Sequence, residues 1–181
     1  MRVITGLARG RKLETLEGLD VRPTTGRVKE AIFSAIQFDI ESRRVLDLFA
    51  GSGQLGIEAL SRGAALCVFV DASQKACDVV KRNLAAAGLS ASARVLCTDA
   101  LGFLAGKTEE FDVAFLDPPY GTGLLGSALK AVERRMSCAG VIFCEHRPEE
   151  ALPESVGAFM KARVYRHGKI AVTLYRREMK E

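Results

Sequence analysis

RVLDLFAGSGQLG, residues 44–56, joins a short apolar run to a glycine-rich loop and then to the start of a helix. A short apolar run bounded by turn residues is typical of a buried strand. Helical spacing follows from Gln54 to Ser61, so the stretch predicts the first βα unit of an α/β protein. The same alternation recurs downstream, and this unit therefore decides the fold class.

Strand and helix patterns alternate through most of the chain. Further strands are predicted at 66–70, 94–97, 112–116 and 140–145. Helices are predicted at 54–61, at 73–87, up to Leu104 and at 124–136, with an earlier helix after Pro23-Thr24-Thr25 that carries Val28, Ile32, Phe33 and Ile36 on one face. Repeated βα units predict a parallel sheet. Two closing strands, 160–165 and 169–176, predict a hairpin that adds an antiparallel strand at or near one edge.

The composition is that of an ordinary globular protein. With 181 residues, 48% hydrophobic and 27% charged, the chain is long enough for one domain with its own core. No apolar run approaches the ~20 residues that span a membrane, and the first residues lack a signal-peptide pattern, so we expect a cytoplasmic protein. Five cysteines without a C-x-x-C pair, and only two histidines, predict neither a disulfide framework nor a metal site.

The glycine loop is a candidate cofactor site. Gly51, Gly53 and Gly56 have the spacing G-x-G-x-x-G, and Asp71 follows about twenty residues later, near the end of the second strand. Glycines allow a cofactor to approach the backbone closely, and the acid can hold ribose hydroxyls. The spacing by itself permits a nicotinamide dinucleotide, another adenosine cofactor, or a tight turn without a ligand.

Two acids favour S-adenosylmethionine (SAM) over NAD. Asp47 lies just before the glycines, where a carboxylate would repel a pyrophosphate but attract an ammonium or sulfonium group. Asp99 ends the third strand, where it can accept a hydrogen bond from an adenine amino group. For Asp71 and Asp99, helix N-capping is the alternative role. The predicted cofactor contacts are Asp47, Phe49, Ala50, Gly51, Ser52, Gly53, Asp71, Asp99 and Ala100.

A second stretch, Asp117-Pro118-Pro119-Tyr120, directly follows the apolar run 113–116. In open α/β sheets, ligands bind beyond the carboxyl ends of the strands, and two prolines make this loop stiff. The Asp117 carboxylate and the Pro118 carbonyl can accept hydrogen bonds from the exocyclic amino group of a planar base. Tyr120 can stack on that base. The stretch therefore predicts a loop that grips a nucleobase.

Basic residues are concentrated at the two ends of the chain. The net charge is +3 over residues 1–30 and +5 over residues 161–181, whereas residues 31–160 carry −4. Arg2, Arg9, Arg11 and Lys12 occur without any acid among the first twelve residues. The pattern is compatible with an ordinary solvated surface, and also with a phosphate-binding face formed by both termini.

Three further segments are more specific: RPTTGRVKE at 22–30, DLFAGSGQLGIEALSRG at 47–63, and the opening residues 2–6 and 10–12. Together with Asp71, Asp99 and the Asp-Pro-Pro-Tyr loop, they resemble the RsmD family. Its members are bacterial 16S ribosomal RNA (guanine(966)-N2)-methyltransferases, which are class I SAM-dependent enzymes. The resemblance covers essentially the whole chain. Gly26 departs from it, since many relatives have an acid there.

The resemblance implies a Rossmann-like, seven-stranded and mostly parallel sheet, with one antiparallel strand from the C-terminal hairpin and a small N-terminal β-hairpin. It implies an RNA-contacting extension over residues 1–22 and a methyltransferase domain over 23–181. The catalytic residues would be Asp117, Pro118, Pro119 and Tyr120, and the expected RNA contacts are Arg2, Arg9, Arg11, Lys12, Arg22 and Arg27. The expected partner is 16S rRNA in an assembled or assembling small ribosomal subunit, bound by a monomer.

Three alternatives stay open. An adenine-N6 methyltransferase shares the Asp-Pro-Pro-Tyr loop, although 181 residues leave no room for a separate DNA-recognition domain. A nicotinamide-binding module is permitted by the glycine spacing. A non-catalytic RNA-binding protein with a retained cofactor pocket is disfavoured by the intact acid-Pro-Pro-aromatic loop.

Overall fold

The computed structural model describes residues 1–16, 26–106 and 109–177. The strands of this part of the chain are β1 Arg44–Leu48, β2 Leu66–Asp71, β3 Ala93–Cys97, β4 Phe111–Leu116, β5 Met136–His146, β6 Ser155–Val156, β7 Phe159–His167 and β8 Ile170–Arg177. Its α-helices are α1 Gly26–Ala35, α2 Gln54–Ser61, α3 Gln74–Ala87, α4 Ala100–Ala105 and α5 Leu124–Val132.

The described strands form one sheet in the order β3-β2-β1-β4-β5-β8-β7-β6. Strands β1 to β5 run parallel to one another, and β8 runs antiparallel to both β5 and β7. The predicted α/β class, with a mostly parallel sheet and a C-terminal antiparallel hairpin, is thereby confirmed. The two-residue strand β6 pairs with β7 and adds a short edge to the seven strands that were predicted.

Helices cover both faces of the sheet. On one face, α1, α2 and α3 pack on alternate strand residues such as Val45, Phe69 and Phe115. On the other face, α4 and α5 pack on the intervening residues, including Leu46 and Val68. This alternation follows from the period of two along each strand. None of the helices in the described ranges combines the length and apolar character that a membrane span needs.

Helix α3 begins and ends where local chemistry predicts. Ser73 caps α3 by accepting a hydrogen bond from the Ala76 backbone N–H at 3.3 Å, and Gly88 ends the helix in the left-handed conformation, with φ 72°. Serine oxygens satisfy free N–H groups at helix starts, and glycine adopts positive φ without steric strain. The predicted apolar face of α1 is confirmed: Val28, Ile32 and Phe33, and Ile36 just beyond the helix, are all fully buried.

The first thirteen residues form a small hairpin that is packed on the main domain. Arg2 pairs with Lys12 in an antiparallel bridge, and the Val3 N–H donates to the Arg11 carbonyl at 3.0 Å. Val3, Ala8 and Leu13 are buried in the same core as α1 and α2. The predicted N-terminal hairpin is thus present. The division of the chain at residue 22 stays a prediction.

A buried ion network fixes this hairpin to α2. The Glu58 carboxylate is fully buried and lies 3.1 Å from the Lys29 ammonium and 2.9 Å from the Arg62 guanidinium. It also accepts hydrogen bonds from the backbone N–H groups of Ile4 and Thr5, at 2.8 and 3.0 Å. Removing one member of such a buried network leaves an uncompensated charge and costs about 3–5 kcal/mol. The position of the hairpin is therefore set by side chains from α1 and α2.

The predicted helix 124–136 is wrong at its end. The α-helix stops at Val132, a 3₁₀ turn spans Glu133–Arg135, and Met136 already belongs to β5. The Arg135 side chain is buried and donates to the carbonyls of Glu109 and Gly106, both at 2.8 Å. These bonds to a distant loop hold the tighter turn. Nothing in the sequence around Arg135 predicts these hydrogen bonds.

Candidate active site

The predicted functional residues meet at the carboxyl edge of the sheet. Leu48 is in register with Val70 of β2 and with Leu116 of β4, so the next residues, Phe49, Asp71 and Asp117, lie side by side. Adjacent strands are about 4.8 Å apart, which places the Asp71 and Asp117 backbones about 10 Å from each other across β1. This width leaves room for a ligand that spans the glycine loop and the Asp-Pro-Pro-Tyr loop.

The glycine loop turns sharply between β1 and α2. Gly51 and Gly53 have φ of 56° and 77°, a region that glycine occupies without penalty. Phe49 also has positive φ, at 69°, which costs a bulky residue roughly 1–3 kcal/mol. This strained conformation is maintained by two hydrogen bonds, in which the N–H groups of Phe49 and Ala50 both donate to the Val70 carbonyl at 3.0 Å. The loop is thus fixed in one conformation by β2.

The glycines of the loop have different physical roles. A Cβ on Gly51 would meet no atom within 4 Å, so open space adjoins this position. A Cβ on Gly56 would lie 2.3 Å from a Phe69 ring carbon and 2.6 Å from the Cys67 sulfur. Gly56 therefore allows α2 to pack closely on the sheet, whereas Gly51 leaves space for a ligand.

Asp47 is a buried carboxyl group at the base of the loop. It is 3% exposed, and its Oδ2 accepts a hydrogen bond from the Gly56 backbone N–H at 2.9 Å. The pKa of Asp47 is raised from 3.8 to about 7, chiefly by burial; the Gly56 hydrogen bond lowers it in part, and the charge of nearby Asp71 contributes to the increase. A cationic ligand at this position would favour the ionised form.

Asp71 and Asp99 are held differently. Asp71 Oδ2 accepts from the Gly51 N–H at 2.9 Å, and Oδ1 from the Ser73 N–H at 2.8 Å. Because Ser73 supplies the side-chain cap of α3, Asp71 is not its N-cap. Asp99 is the N-cap of α4, with its Oδ1 accepting from the Gly102 N–H at 2.7 Å. Its capping role does not exclude a ligand, since each carboxylate oxygen can accept a second hydrogen bond.

The remaining predicted cofactor residues lie in the same region. Ser52 is half-buried, and its carbonyl accepts from the buried Asn83 amide at 2.9 Å. The same amide donates to the Glu14 carbonyl at 3.0 Å, so Asn83 joins the N-terminal segment to the glycine loop. Ala100 opens α4 and is 8% exposed. Sequence reasoning did not identify Asn83, because its partners are 31 and 69 residues away.

These residues fit SAM. The ligand space beside Gly51 adjoins a loop whose base is a carboxyl group, and the other two strand ends also present carboxylates. Such a set of acceptors suits an ammonium or sulfonium group, ribose hydroxyls and an adenine amino group. A pyrophosphate would bring further negative charge next to Asp47 and Asp71. In the described part of the chain, no group of three His, Cys, Asp or Glu side chains is placed to hold a metal ion.

The Asp-Pro-Pro-Tyr loop extends from β4 at the same edge. Asp117 and Tyr120 are half-buried, Pro118 is buried, and Pro119 is exposed. The Thr122 hydroxyl donates to the Pro119 carbonyl at 2.8 Å, which closes the turn before α5. All four predicted residues are thus presented on one short, rigid segment next to the glycine loop.

Two residues that the sequence did not single out hold Tyr120. Its hydroxyl donates to Glu145 Oε1 at 3.1 Å, and the Arg147 guanidinium lies 5.3 Å from the centre of its ring. Glu145 is 5% exposed and lies near the end of β5. The sequence offered one signal for these partners. They follow the apolar residues 141–144 of β5, just as Asp117 follows the apolar residues of β4.

The predicted RNA contacts are on the surface. Arg2, Arg9, Arg11 and Lys12 are exposed on the N-terminal hairpin. The Arg2 guanidinium also donates to the Gly10 carbonyl at 2.7 Å. Arg27 is exposed on the first turn of α1, and Arg22 lies outside the described residues. Their role in RNA binding stays a prediction.

The chain is similar to known proteins over nearly its whole length. A family model described as "Conserved hypothetical protein 95" matches residues 1–176. The chain is 42% identical to "Putative rRNA methyltransferase YlbH" of Bacillus subtilis, covering 98% of the chain and 99% of that relative. It is 36% identical to "Ribosomal RNA small subunit methyltransferase D" of Escherichia coli, covering 98% and 90%. The solved structure "Putative methyltransferase yhhF from Escherichia coli" matches with a TM-score of 0.88 at 37% identity, covering 99% of each chain.

Proposed function

The chain belongs to the family described as Conserved hypothetical protein 95, as its RsmD-like motifs implied, and on this premise we propose that it methylates the exocyclic N2 of a guanine in 16S ribosomal RNA. By family resemblance the target is guanine 966. At the coarser level, the chain is a SAM-dependent rRNA methyltransferase of the small subunit methyltransferase D type. The finer assignment, to guanine N2 and not to adenine N6, rests on the family resemblance, because both kinds of enzyme share the Asp-Pro-Pro-Tyr loop.

One observation carries the proposal: the loop that can grip a base amino group lies directly beside the loop that can hold the methyl donor. Leu116 and Leu48 are paired in register, so the two loops leave the sheet from neighbouring strands. Holding two reactants in line contributes up to about 7–11 kcal/mol of the barrier reduction. Placing the two groups is therefore the main task of this site.

The cofactor residues orient the donor. Bound SAM supplies the methyl group on an activated sulfonium. Asp47 lies where it can attract the positive charge of the methionine end, Asp71 where it can accept from ribose hydroxyls, and Asp99 where it can accept from the adenine amino group. The rigid turn at Phe49 and Gly51 fixes the approach of the ligand to the backbone.

The base-binding residues orient the acceptor nitrogen. The lone pair of guanine N2 is delocalised into the ring, so the amino group is a weak nucleophile. Hydrogen bonds from this group to the Asp117 carboxylate and the Pro118 carbonyl turn the lone pair toward the methyl group and stabilise the positive charge that develops. Tyr120 stacks on the extruded base, a contact worth about 1–3 kcal/mol. Its ring is held for this role by Glu145 and Arg147.

We further propose that the substrate is the small ribosomal subunit, assembled or assembling, and that the protein acts in the cytoplasm as a monomer. The N-terminal hairpin and Arg27 would meet RNA phosphates through Arg2, Arg9, Arg11, Lys12 and Arg27. Phosphate contacts of this kind position the RNA without reading its sequence.

Mapping of modified nucleotides by mass spectrometry tests the function. Small-subunit rRNA from cells that lack this protein should lose one N2-methylguanine, and expression of the wild-type chain should restore it, whereas the Asp117→Ala variant should not. Loss of an N6-methyladenine instead would assign the adenine alternative. An unchanged set of modified nucleotides would refute the proposal. Calorimetric titration of the purified protein with SAM and with NAD distinguishes the nicotinamide alternative.

A further inference from the structure

A groove lies beside the active site at the carboxyl edge of the sheet. It has a volume of about 850 Å³ and is lined by Gly26, Arg27, Glu30, Arg166, His167 and Gly168. The first three belong to the start of α1, Arg166 and His167 end β7, and Gly168 lies in the turn from β7 to β8. Because His146 at the end of β5 pairs with Ala171 at the start of β8, this turn is at the same edge as Asp117 and Tyr120.

Contacts connect the groove to the catalytic loop. The Arg147 guanidinium lies 5.3 Å from the centre of the Tyr120 ring. Pro148 is the next residue, and its carbonyl accepts a hydrogen bond from Arg166 at 3.4 Å. Arg166 in turn lines the groove together with Arg27. The cations Arg147, Arg166 and Arg27 therefore follow one another from the ring of Tyr120 to the start of α1.

The chemistry of the groove suits an anionic polar chain. Arg27, Arg147 and Arg166 are all exposed, and guanidinium groups bind phosphate oxygens with paired hydrogen bonds. The residues that line it, as far as the structure describes them, include no large apolar side chain, so a hydrophobic anchor of a partner protein would find no site. Among the lining residues that the structure describes, Glu30 is the one acid, and its carboxylate reduces the attraction for phosphate.

We propose that this groove binds the RNA strand that flanks the target nucleotide, with successive phosphates on Arg147, Arg166 and Arg27. The inference rests on the proposed function, since it takes the base on Tyr120 to be part of RNA. It assigns a role in substrate binding to the β7–β8 turn, which contains none of the motifs that identified the site. An extruded base needs its neighbouring phosphates held, because extrusion rotates the nucleotide about its backbone.

Single substitutions test the groove, with small ribosomal subunits from cells lacking this protein as the substrate. Arg166→Ala and Arg27→Ala should each raise KM for the subunits about fivefold or more, while kcat and SAM affinity change less than about twofold. Each should also reduce the slope of log affinity against log salt by about 0.7–0.9, as expected for one lost phosphate contact. Arg166→Lys should restore most of the loss, and Glu30→Gln should lower KM.

Two matched controls remove the same charge elsewhere. Lys169 is exposed on the β7–β8 turn but does not line the groove, and Arg134 is exposed beside the start of β5, at the opposite edge of the sheet. Lys169→Ala and Arg134→Ala should leave KM nearly unchanged. Equal effects in all four alanine variants would overturn the proposal, because they would indicate a general charge effect. Wild-type KM and salt slope in both groove variants would also overturn it.

Failure of the groove assignment can be distinguished from failure of the proposed methyltransferase function. Binding of the same subunits is measured by filter retention without SAM, so it does not depend on methyl transfer. If the wild-type protein transfers a methyl group but the groove variants bind subunits normally, only the groove assignment fails. If the wild-type protein transfers no methyl group to the subunits, the proposed function fails, and the groove assignment fails with it.

Discussion

The two halves of the carboxyl edge are constructed in different ways. In the half formed by β1, β2 and β3, each functional carboxylate is held by a backbone N–H that is 2 to 20 residues away along the chain. In the half formed by β4, β5, β8 and β7, Tyr120 is held by side chains from β5 and the residue after it, and the groove is lined by segments more than 100 residues apart. The carboxylates of the cofactor half are thus held by bonds between residues that are close in the chain, whereas the substrate half is assembled from segments that are distant in the chain.

This difference has a physical reason. A backbone N–H is present whatever the side chains are, so a short loop of suitable length fixes an acid by itself. A side chain that must hold an aromatic ring or a nucleic-acid strand has to be brought from another element. We therefore expect the cofactor half to tolerate changes in the substrate half, and the variants below test this independence.

The largest expected effect is that of Asp117→Ala. It removes the carboxylate that accepts from the base amino group, and turnover should fall about 10³-fold, as for the loss of other preorganised groups that stabilise the transition state. SAM affinity measured by calorimetry should change less than about twofold, because the cofactor half does not depend on this side chain. A loss of SAM affinity equal to the loss of turnover would contradict the independence of the two halves.

The next largest effects are expected for Gly51→Ala, on SAM affinity, and for Gly56→Ala, on the free energy of unfolding. A methyl group at Gly51 enters the open space beside the loop and should weaken SAM binding roughly 10- to 100-fold, because a steric cost of about 1–3 kcal/mol corresponds to such a change in affinity. A methyl group at Gly56 would collide with Phe69 and Cys67, so it should lower the free energy of unfolding by about 1–3 kcal/mol.

The two glycine variants act as controls for each other. Thermal unfolding reports packing, and calorimetric titration reports the cofactor site. Gly51→Ala should also lose about 1–2 kcal/mol of stability because of its positive φ. If Gly56→Ala instead weakened SAM binding while leaving stability unchanged, the assignment of the third glycine to helix packing would be wrong.

A smaller effect is expected from pH. The pKa of Asp47 in the cofactor-free protein is raised to about 7. Because a cationic cofactor favours the ionised form of this carboxyl group, Asp47 should lose its proton when the cofactor binds. SAM affinity should then increase about tenfold between pH 5.5 and pH 7.0. The Asp47→Asn variant should lose this dependence, and titrations in two buffers of different ionisation enthalpy measure the proton directly. A wild-type affinity that is constant over this range would contradict the role of Asp47.

The same carboxyl group should affect stability with the opposite sign. Its folded-state pKa lies above the unfolded value, so the folded state binds the proton more tightly, and stability declines as pH rises from about 4 to about 7. For the cofactor-free protein the decline due to Asp47 is at most about 4 kcal/mol. Chemical unfolding of the wild type and Asp47→Asn at pH 5 and pH 8 isolates this contribution as the difference between the two proteins.

The smallest effect is expected on kcat, from substitutions that weaken the hydrogen bond between Tyr120 and Glu145. Tyr120→Phe and Glu145→Gln should each lower kcat about three- to fivefold, because either change weakens the bond that orients the ring. The double variant should lose little more than either single variant, since both remove the same interaction. Tyr120→Ala should lose considerably more, because it removes the stacking surface. Additive losses in the double variant would show that Glu145 acts separately from Tyr120.

Particular residues show how far prediction from the sequence reached. The bounds of β1 and α2 agree with those predicted, because apolar runs, glycines and helical spacing are local properties. The predicted end of α5 was wrong, since Arg135 donates to the carbonyls of Gly106 and Glu109, which are distant in the chain. Asp47 was predicted to be a cofactor residue from its place before the glycines, but its raised pKa depends on burial, which needs the packed sheet.

By itself, the sequence determined the alternation of strands and helices, the glycine loop, the acids at the strand ends and the proline loop, because each depends on neighbours in the chain. Only the tertiary structure decided which residues support them: Glu145 and Arg147 at Tyr120, Asn83 between Glu14 and Ser52, and Arg166 opposite Arg27. These partners meet because strands distant in the chain are adjacent in the sheet. A linear pattern contains no direct signal of such adjacency.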